Sequence, residues 1–263
     1  MKYLEVDRLD QIPGHPLRAG EPFHFRCHAG LSCFNACCRN LSMFLYPYDI
    51  IRLRHCLKID SDQFINQHTD IVLRDGHHFP DVLLRMADDA ARNCPFVTPA
   101  GCSVYAHRPD ACRFFPIERA QFYDAQTDRK TDVYFFRPPD FCRGAGENRK
   151  MTPARWIKDQ KAMAHARLTA QWADLMRLFQ DNPFGAEGPY GAKAKMAFMA
   201  AYNIDQFRAF VLNSSFLRRF QINPALQAKI QTHDLALLEL AMAYIKYVLW
   251  QMPSPMLGHR RKK

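Results

Sequence analysis

Eight of the nine cysteines fall into two groups, Cys27, Cys33, Cys37 and Cys38 and then Cys94, Cys102, Cys112 and Cys142, while Cys56 stands apart. A chain with thiols crowded in this way has three outlets for them: a disulfide framework, structural zinc, or an iron-sulfur centre. The opening residues, Met1 to Asp10, carry Glu5, Asp7 and Asp10 and lack the apolar core of a secretory signal, so a cytoplasmic setting is expected. Disulfide scaffolds serve mainly small secreted chains, whereas 263 residues with 48% hydrophobic content can bury a core of their own. Metal binding is therefore the expected use of the sulfurs, with zinc and iron-sulfur both open.

Bundled thiolates concentrate negative charge, and arginine adjoins four of the eight cysteines: Arg26, Arg39, Arg113 and Arg143. A guanidinium beside a thiol favours the ligating thiolate. A basic chain also scatters arginine widely, and the formal charge here is +10. That excess could attract nucleic acid, anionic lipid or an acidic protein. The basic residues are dispersed, no nucleic-acid motif is present, and Arg260, Arg261, Lys262 and Lys263 read as a solvated tail. The expected partner or substrate is a protein of unknown identity, and nucleic acid is not expected.

The spacing argues against an ordinary zinc finger, which takes closely spaced pairs such as C-x2-C. No such pair occurs. Successive residues of an extended chain point to opposite sides, so adjacent Cys37 and Cys38 should not both reach one ion. Eight thiolates suffice for two four-cysteine sites, or for one cubane with four cysteines to spare. Phe23, Phe25, Phe34, Phe44, Phe96, Phe114, Phe115, Phe135, Phe136 and Phe141 recur beside the cysteines. They suit a shielded redox centre but are equally ordinary core material. Eight thiols already satisfy two sites, so His24, His28, His77, His78 and His107 are not counted as ligands, His28 and His107 being the first suspects among them. Cys56 sits among Ile50, Ile51, Leu53 and Leu57 and reads as a packing thiol.

Local strings are more specific than the count. Phe25-Arg26-Cys27 leads to Cys33-Phe34-Asn35-Ala36-Cys37-Cys38-Arg39 and then to Leu45-Tyr46-Pro47-Tyr48-Asp49. Later come Cys94-Pro95-Phe96, Gly101-Cys102-Ser103, Arg108-Pro109-Asp110-Ala111-Cys112-Arg113 and Phe141-Cys142-Arg143-Gly144. From about residue 23 to 146 this resembles the YkgJ-type cysteine-cluster family, a zinc- or iron-chelating domain with eight cysteines. The resemblance implies metal-ligand roles for Cys27, Cys33, Cys37, Cys38, Cys94, Cys102, Cys112 and Cys142 and no catalytic residue. One departure is the opening: the family's resembles C-x2-C-x2-C-C, whereas here the intervals are five and three residues. Relatives that methylate lysines of flagellin carry a similar module with a spaced-out opening, which keeps a protein lysine N-methyltransferase among the alternatives.

The expected fold class is α+β, mostly helical, with a loop-rich cysteine module at 1–150 packed on a helical subregion at 151–263 as one compact unit. Prolines and glycines make residues 1–22 an arm with little regular structure. Helices are predicted from Pro47 to Lys58 and from about Ser61 to Leu73, capped by Asp60 or Ser61, and strands at 79–86 and 131–137. Thr152-Pro153 starts the helical half, with Trp156, Leu168, Trp172, Leu175 and Phe179 as a buried stripe. Further helices are expected at Ala192–Tyr202, Asp205–Phe216 and from Pro224 to about Gln251. The last is apolar, but Glu239 and Lys246 interrupt it, so no integral membrane segment is expected.

There is no glycine-rich phosphate loop, no G-x-S-x-G elbow and no dinucleotide fingerprint, so whether the chain is an enzyme stays open. The leading reading is a protein holding an iron-sulfur cluster, most readily 4Fe-4S, or zinc ions, with a redox, metal-handling or protein-modification-support role. The alternatives are the lysine methyltransferase and a zinc-stapled interaction module without catalysis.

Overall fold

The computed structural model describes residues 2–4, 15–18, 20–124, 126–127 and 129–259. The basic tail Arg260 to Lys263 lies outside them, as do Glu5, Asp7 and Asp10. The α-helices are α1 (Pro47–Leu57), α2 (Ser61–His68), α3 (Asp110–Phe114), α4 (Pro153–Asp159), α5 (Met163–Leu178), α6 (Ala192–Tyr202), α7 (Ile204–Asn213), α8 (Phe216–Arg219), α9 (Pro224–Lys229) and α10 (Asp234–Trp250). Helix outweighs strand 48% to 17% and the sheets are small, which is the expected α+β, mostly helical class. No helix of the described residues is long and apolar enough to cross a membrane.

Two compact units form, each from two stretches of chain: 1–43 with 85–173, and 44–84 with 174–263. The change of character at Thr152 is thus not where the units divide. Residues 151–173 group with the cysteine segments, and 44–84 with the later helices.

In the first unit a hairpin pairs Ile117–Asp124 antiparallel with Arg129–Phe136. Its two outer edges are taken by Lys2–Leu4, parallel to the first strand, and His15–Leu17, antiparallel to the second. The irregular arm expected for residues 1–22 therefore supplies strands, because a two-stranded ribbon leaves backbone N–H and C=O groups that an adjacent segment can satisfy. Beneath lies a core of Leu17, Phe23, Phe25, Phe114, Ile117, Met151, Trp156 and Ile157. Trp156 meets Phe25 edge-on at 5.5 Å and Phe23 at 5.9 Å, and its buried indole N–H donates to the Phe114 carbonyl at 3.0 Å. Thr152 caps α4 as predicted, its hydroxyl accepting from the Arg155 N–H at 3.3 Å. The helical run breaks at Lys161, which is left-handed at φ 51°. Ala162 N–H bonds back to Ile157 and Lys161 N–H to Lys158, closing α4 in a Schellman turn before α5 begins.

In the second unit α1 starts at Pro47, with the Asp49 carboxylate accepting from the Tyr46 N–H at 2.9 Å. Asp60 and Gln63 form a reciprocal capping box on α2. That helix stops at His68, five residues short of the predicted end, because Thr69–Val72 is β-favouring and pairs with Asp81–Leu84, which Phe44–Leu45 flanks on its other side. Asn203 caps α7. Helix α6 lies against α10, and its buried residues are mainly small, Ala194, Ala197, Ala200 and Ala201, permitting close approach to the wholly buried Leu237, Leu238, Leu240 and Ala241. Phe79 stacks on Phe179 at 4.2 Å.

The predicted helix 224–251 is two, α9 and α10, separated by extended His233. The next residue explains the break. Asp234, 8% exposed, accepts from Arg54, Arg208 and His55, the last at 2.6 Å. Arg54 also pairs with Asp205 at 3.3 Å, which accepts from Ser61 N–H and hydroxyl at 2.8 Å each. One carboxylate thereby ties α1, α7 and α10. Asp234→Ala leaves two guanidinium groups poorly compensated away from water and should cost about 3–5 kcal/mol in urea unfolding; a loss under about 1 kcal/mol would mean the network does not hold these helices.

Candidate metal centre

All eight clustered cysteines lie in the first unit, and Cys56, on α1, lies in the second. Among the described residues none is disulfide-bonded; seven of the eight are half-buried and Cys27 is exposed. Four segments separated by long stretches of chain meet through backbone contacts that the sequence specifies.

The first meeting joins Cys27 to Cys142. Phe23–His24 pairs with Lys150–Met151, Phe25 N–H reaches the Arg149 carbonyl, and Arg26 N–H donates to the Gly144 carbonyl at 3.1 Å. A Cβ on Gly144 would stand 2.8 Å from the Arg26 carbonyl oxygen and 2.9 Å from the Phe25 ring. Only glycine lets the two strands of chain approach this closely. Cys33 is drawn to the same place, its sulfur accepting from the Arg143 N–H at 3.2 Å.

The second meeting joins Cys38, Cys94 and Cys102. Cys94 N–H donates to the Cys38 carbonyl at 2.8 Å, and Arg39 bridges to Asn93. Val97–Thr98 then turns back on Gly101–Cys102, with Val97 opposite Cys102 and Val97 N–H on the Cys94 carbonyl. Asn35, between Cys33 and Cys37, is left-handed at φ 66°, a conformation asparagine tolerates, and its side-chain amide donates to the Thr98 carbonyl at 3.0 Å. Gly101, at φ 122°, lies under the Phe34 ring. Cys112 is carried by α3, whose Asp110 accepts from Thr169 at 3.1 Å.

Adjacent Cys37 and Cys38 are not extended, as expected, but occupy the short 3-10 helix Ala36–Cys38. Successive side chains there turn by about a third of a revolution rather than half, and the two thiols hydrogen-bond each other. That bond lowers Cys37 to about 7 and drives Cys38 strongly upward.

Burial pushes the Cys27, Cys94 and Cys142 thiols up, and neighbouring thiols add to it. For Cys27 the neighbours are Cys37, Cys142 and Cys33; for Cys142 they are Cys33 and Cys37; for Cys94 they are Cys102 and Cys37. Opposing this, the N–H groups of Phe96 and Val97 act on the Cys94 sulfur and those of Gly144 and Ala145 on Cys142. Such donors favour a thiolate and hence a bound metal. The donor set therefore fits zinc or an iron-sulfur cluster. Among the described residues no three His, Cys, Asp or Glu side chains already surround a common point, so gripping an ion requires the thiols to rotate.

His28, next to Cys27 in sequence, accepts from Gly30 N–H through Nδ1 and faces Glu147 through Nε2 at 3.3 Å. The arginines divide. Arg113 is buried and spends its guanidinium on the Gln160 and Ala106 carbonyls, while Arg26, Arg39 and Arg143 are exposed. What Arg143 gives a cysteine is its backbone N–H, a contribution no sequence count of charges could reveal. Gly144→Ala should force the two chain segments apart, costing about 1–3 kcal/mol and lowering metal content; unchanged unfolding and metal content would contradict the close-approach argument.

No curated protein and no solved structure matches the chain. A family model does: CxxCxxCC, described as a putative zinc- or iron-chelating domain, covers residues 26–143, from the residue before Cys27 to the residue after Cys142. The cysteine-bearing segment 26–143 is thus similar to the CxxCxxCC family of zinc- or iron-chelating domains.

Proposed function

We propose that the chain is an iron-sulfur protein whose cluster is held by Cys27, Cys33, Cys37, Cys38, Cys94, Cys102, Cys112 and Cys142, serving a redox or metal-handling role toward a protein partner. What supports this reading is that all eight cysteines fall in one compact unit, with backbone contacts drawing Cys27 and Cys33 toward Cys142 and Cys94 toward Cys38. Thiolates held near one another repel unless a cation lies among them, so ionising these thiols together calls for a bound metal. A bound cluster would supply reversible one-electron chemistry.

The chain's own groups suit that role. The N–H of Arg143 on the Cys33 sulfur, and those of Phe96, Val97, Gly144 and Ala145 on Cys94 and Cys142, stabilise sulfur-borne charge and would tune a potential. Phe25, Phe114 and Trp156, packed beneath Cys142, keep water from one side. Exposed Cys27 puts the other side within reach of a partner surface. Zinc is the second reading, favoured by the family description, which names it beside iron.

Anaerobic purification of the full chain, followed by visible absorption and iron, zinc and sulfide analysis, separates the two. Brown protein with iron and acid-labile sulfide is expected. Colourless protein with stoichiometric zinc would replace the cluster by zinc, and metal-free protein would overturn both. Cys112→Ser should lower metal content while Cys56→Ser keeps it; the reverse order would contradict the ligand set. Because ligand closure supports the loops around it, chelation should lower the melting temperature of the first unit measurably.

A further inference from the structure

Resting on the metal-binding reading above, we propose that Gln160 is a positioning residue for the metal ligand Cys112, holding the segment 105–114 on both sides of that cysteine. Two arginines of this segment end on the one glutamine. Arg108 donates to the Gln160 side-chain oxygen and, at 2.7 Å, to the Tyr105 carbonyl. Arg113 donates to the Gln160 backbone carbonyl at 2.6 Å and to the Ala106 carbonyl at 2.8 Å. Both guanidinium groups are removed from water, Arg108 at 7% exposure and Arg113 at 4%. A buried guanidinium that loses an acceptor bears its desolvation cost uncompensated, so these bonds fix the segment firmly. Cys112 lies between the two arginines, on α3.

A helix end explains the meeting place. The last carbonyls of a helix have no partner within it, and Gln160 follows α4 directly, just before left-handed Lys161. Its carbonyl is thereby available to Arg113. An arginine can only donate, so the Gln160 side chain turns its oxygen to Arg108 and its amide N–H to Asp159, at 2.7 Å. Asp159 accepts in turn from Arg149 at 2.6 Å, and the Arg149 carbonyl takes the N–H of Phe25, two residues before Cys27. One amide thus joins the segment of Cys112 to the segment of Cys27. Two further bonds seat α3 on the neighbouring helices, the Trp156 indole on the Phe114 carbonyl and the Thr169 hydroxyl on Asp110. Gln160, Asp159 and Arg149 all lie beyond residues 26–143, the stretch that the family model covers. The means of placing Cys112 is therefore not contained in the cysteine segment itself.

Cobalt(II) binding by the reduced, metal-free full-length protein tests the assignment, read by sulfur-to-cobalt absorption and by which cysteines of the loaded protein resist iodoacetamide. Gln160→Ala should bind cobalt about 10- to 100-fold more weakly. It should also show less sulfur-to-cobalt absorption per bound ion and leave Cys112 open to labelling while Cys94 stays protected. Gln160→Glu, which keeps an acceptor for Arg108, should restore all three. Cys112 still protected in Gln160→Ala would overturn the proposal, as would Gln160→Glu behaving like Gln160→Ala. Should Gln160→Ala lose its circular dichroism, Gln160→Met, which keeps the volume without the acceptor, takes its place with the same expected and contrary results. Wild type that binds cobalt with Cys112 freely labelled would overturn this proposal alone. Wild type that binds no cobalt would remove the metal-binding reading and the proposal with it.

Discussion

Sulfur atoms that share a half-buried space cannot all become thiolates unless positive charge lies among them. Most of what is distinctive in the first unit follows from that constraint. Segments far apart in sequence are pinned by backbone hydrogen bonds, Arg26 to Gly144 and Cys94 to Cys38, rather than by a continuous sheet. Backbone N–H groups, which carry partial positive charge without the bulk of a side chain, are aimed at Cys33, Cys94 and Cys142. The aromatic core under Cys142 supplies the stiffness that the loops lack, with Trp156 fixed at one end by its bond to the Phe114 carbonyl.

The second unit solves a different problem with different means. It has extensive apolar burial along α6 and α10, and its specificity comes from one carboxylate, Asp234, shared by Arg54, Arg208 and His55. Burying opposite charges together is seldom a source of net stability, but removing one partner is costly. Asp234 therefore fixes which helices meet more than how firmly they adhere. Its cysteine, Cys56, is half-buried on α1, a helix otherwise rich in buried aliphatic residues.

Helix starts were legible because capping is local chemistry: Pro47 after Tyr46, Asp60 with Gln63, and Thr152 before Pro153 all act within one turn. Helix ends were less so. The left-handed Lys161 and the break at His233 carry no glycine or proline to announce them, and α2 ends because a partner strand exists elsewhere in the chain. The arm's own residues do not announce its strands, which depend on the open edges of a hairpin more than a hundred residues later. At the site, spacing and wording single out eight cysteines as candidates, but not which of them are neighbours. Which sulfurs adjoin depends on Gly144, Asn35 and the 3-10 turn at Cys37 and Cys38, whose effects are long-range and conformational.

X-ray absorption at the metal edge of anaerobically purified protein examines the sulfur environment directly. The account predicts a first shell made of sulfur alone, at about 2.3 Å. A shell of nitrogen or oxygen at about 2.0–2.2 Å, or no metal to measure, would contradict it.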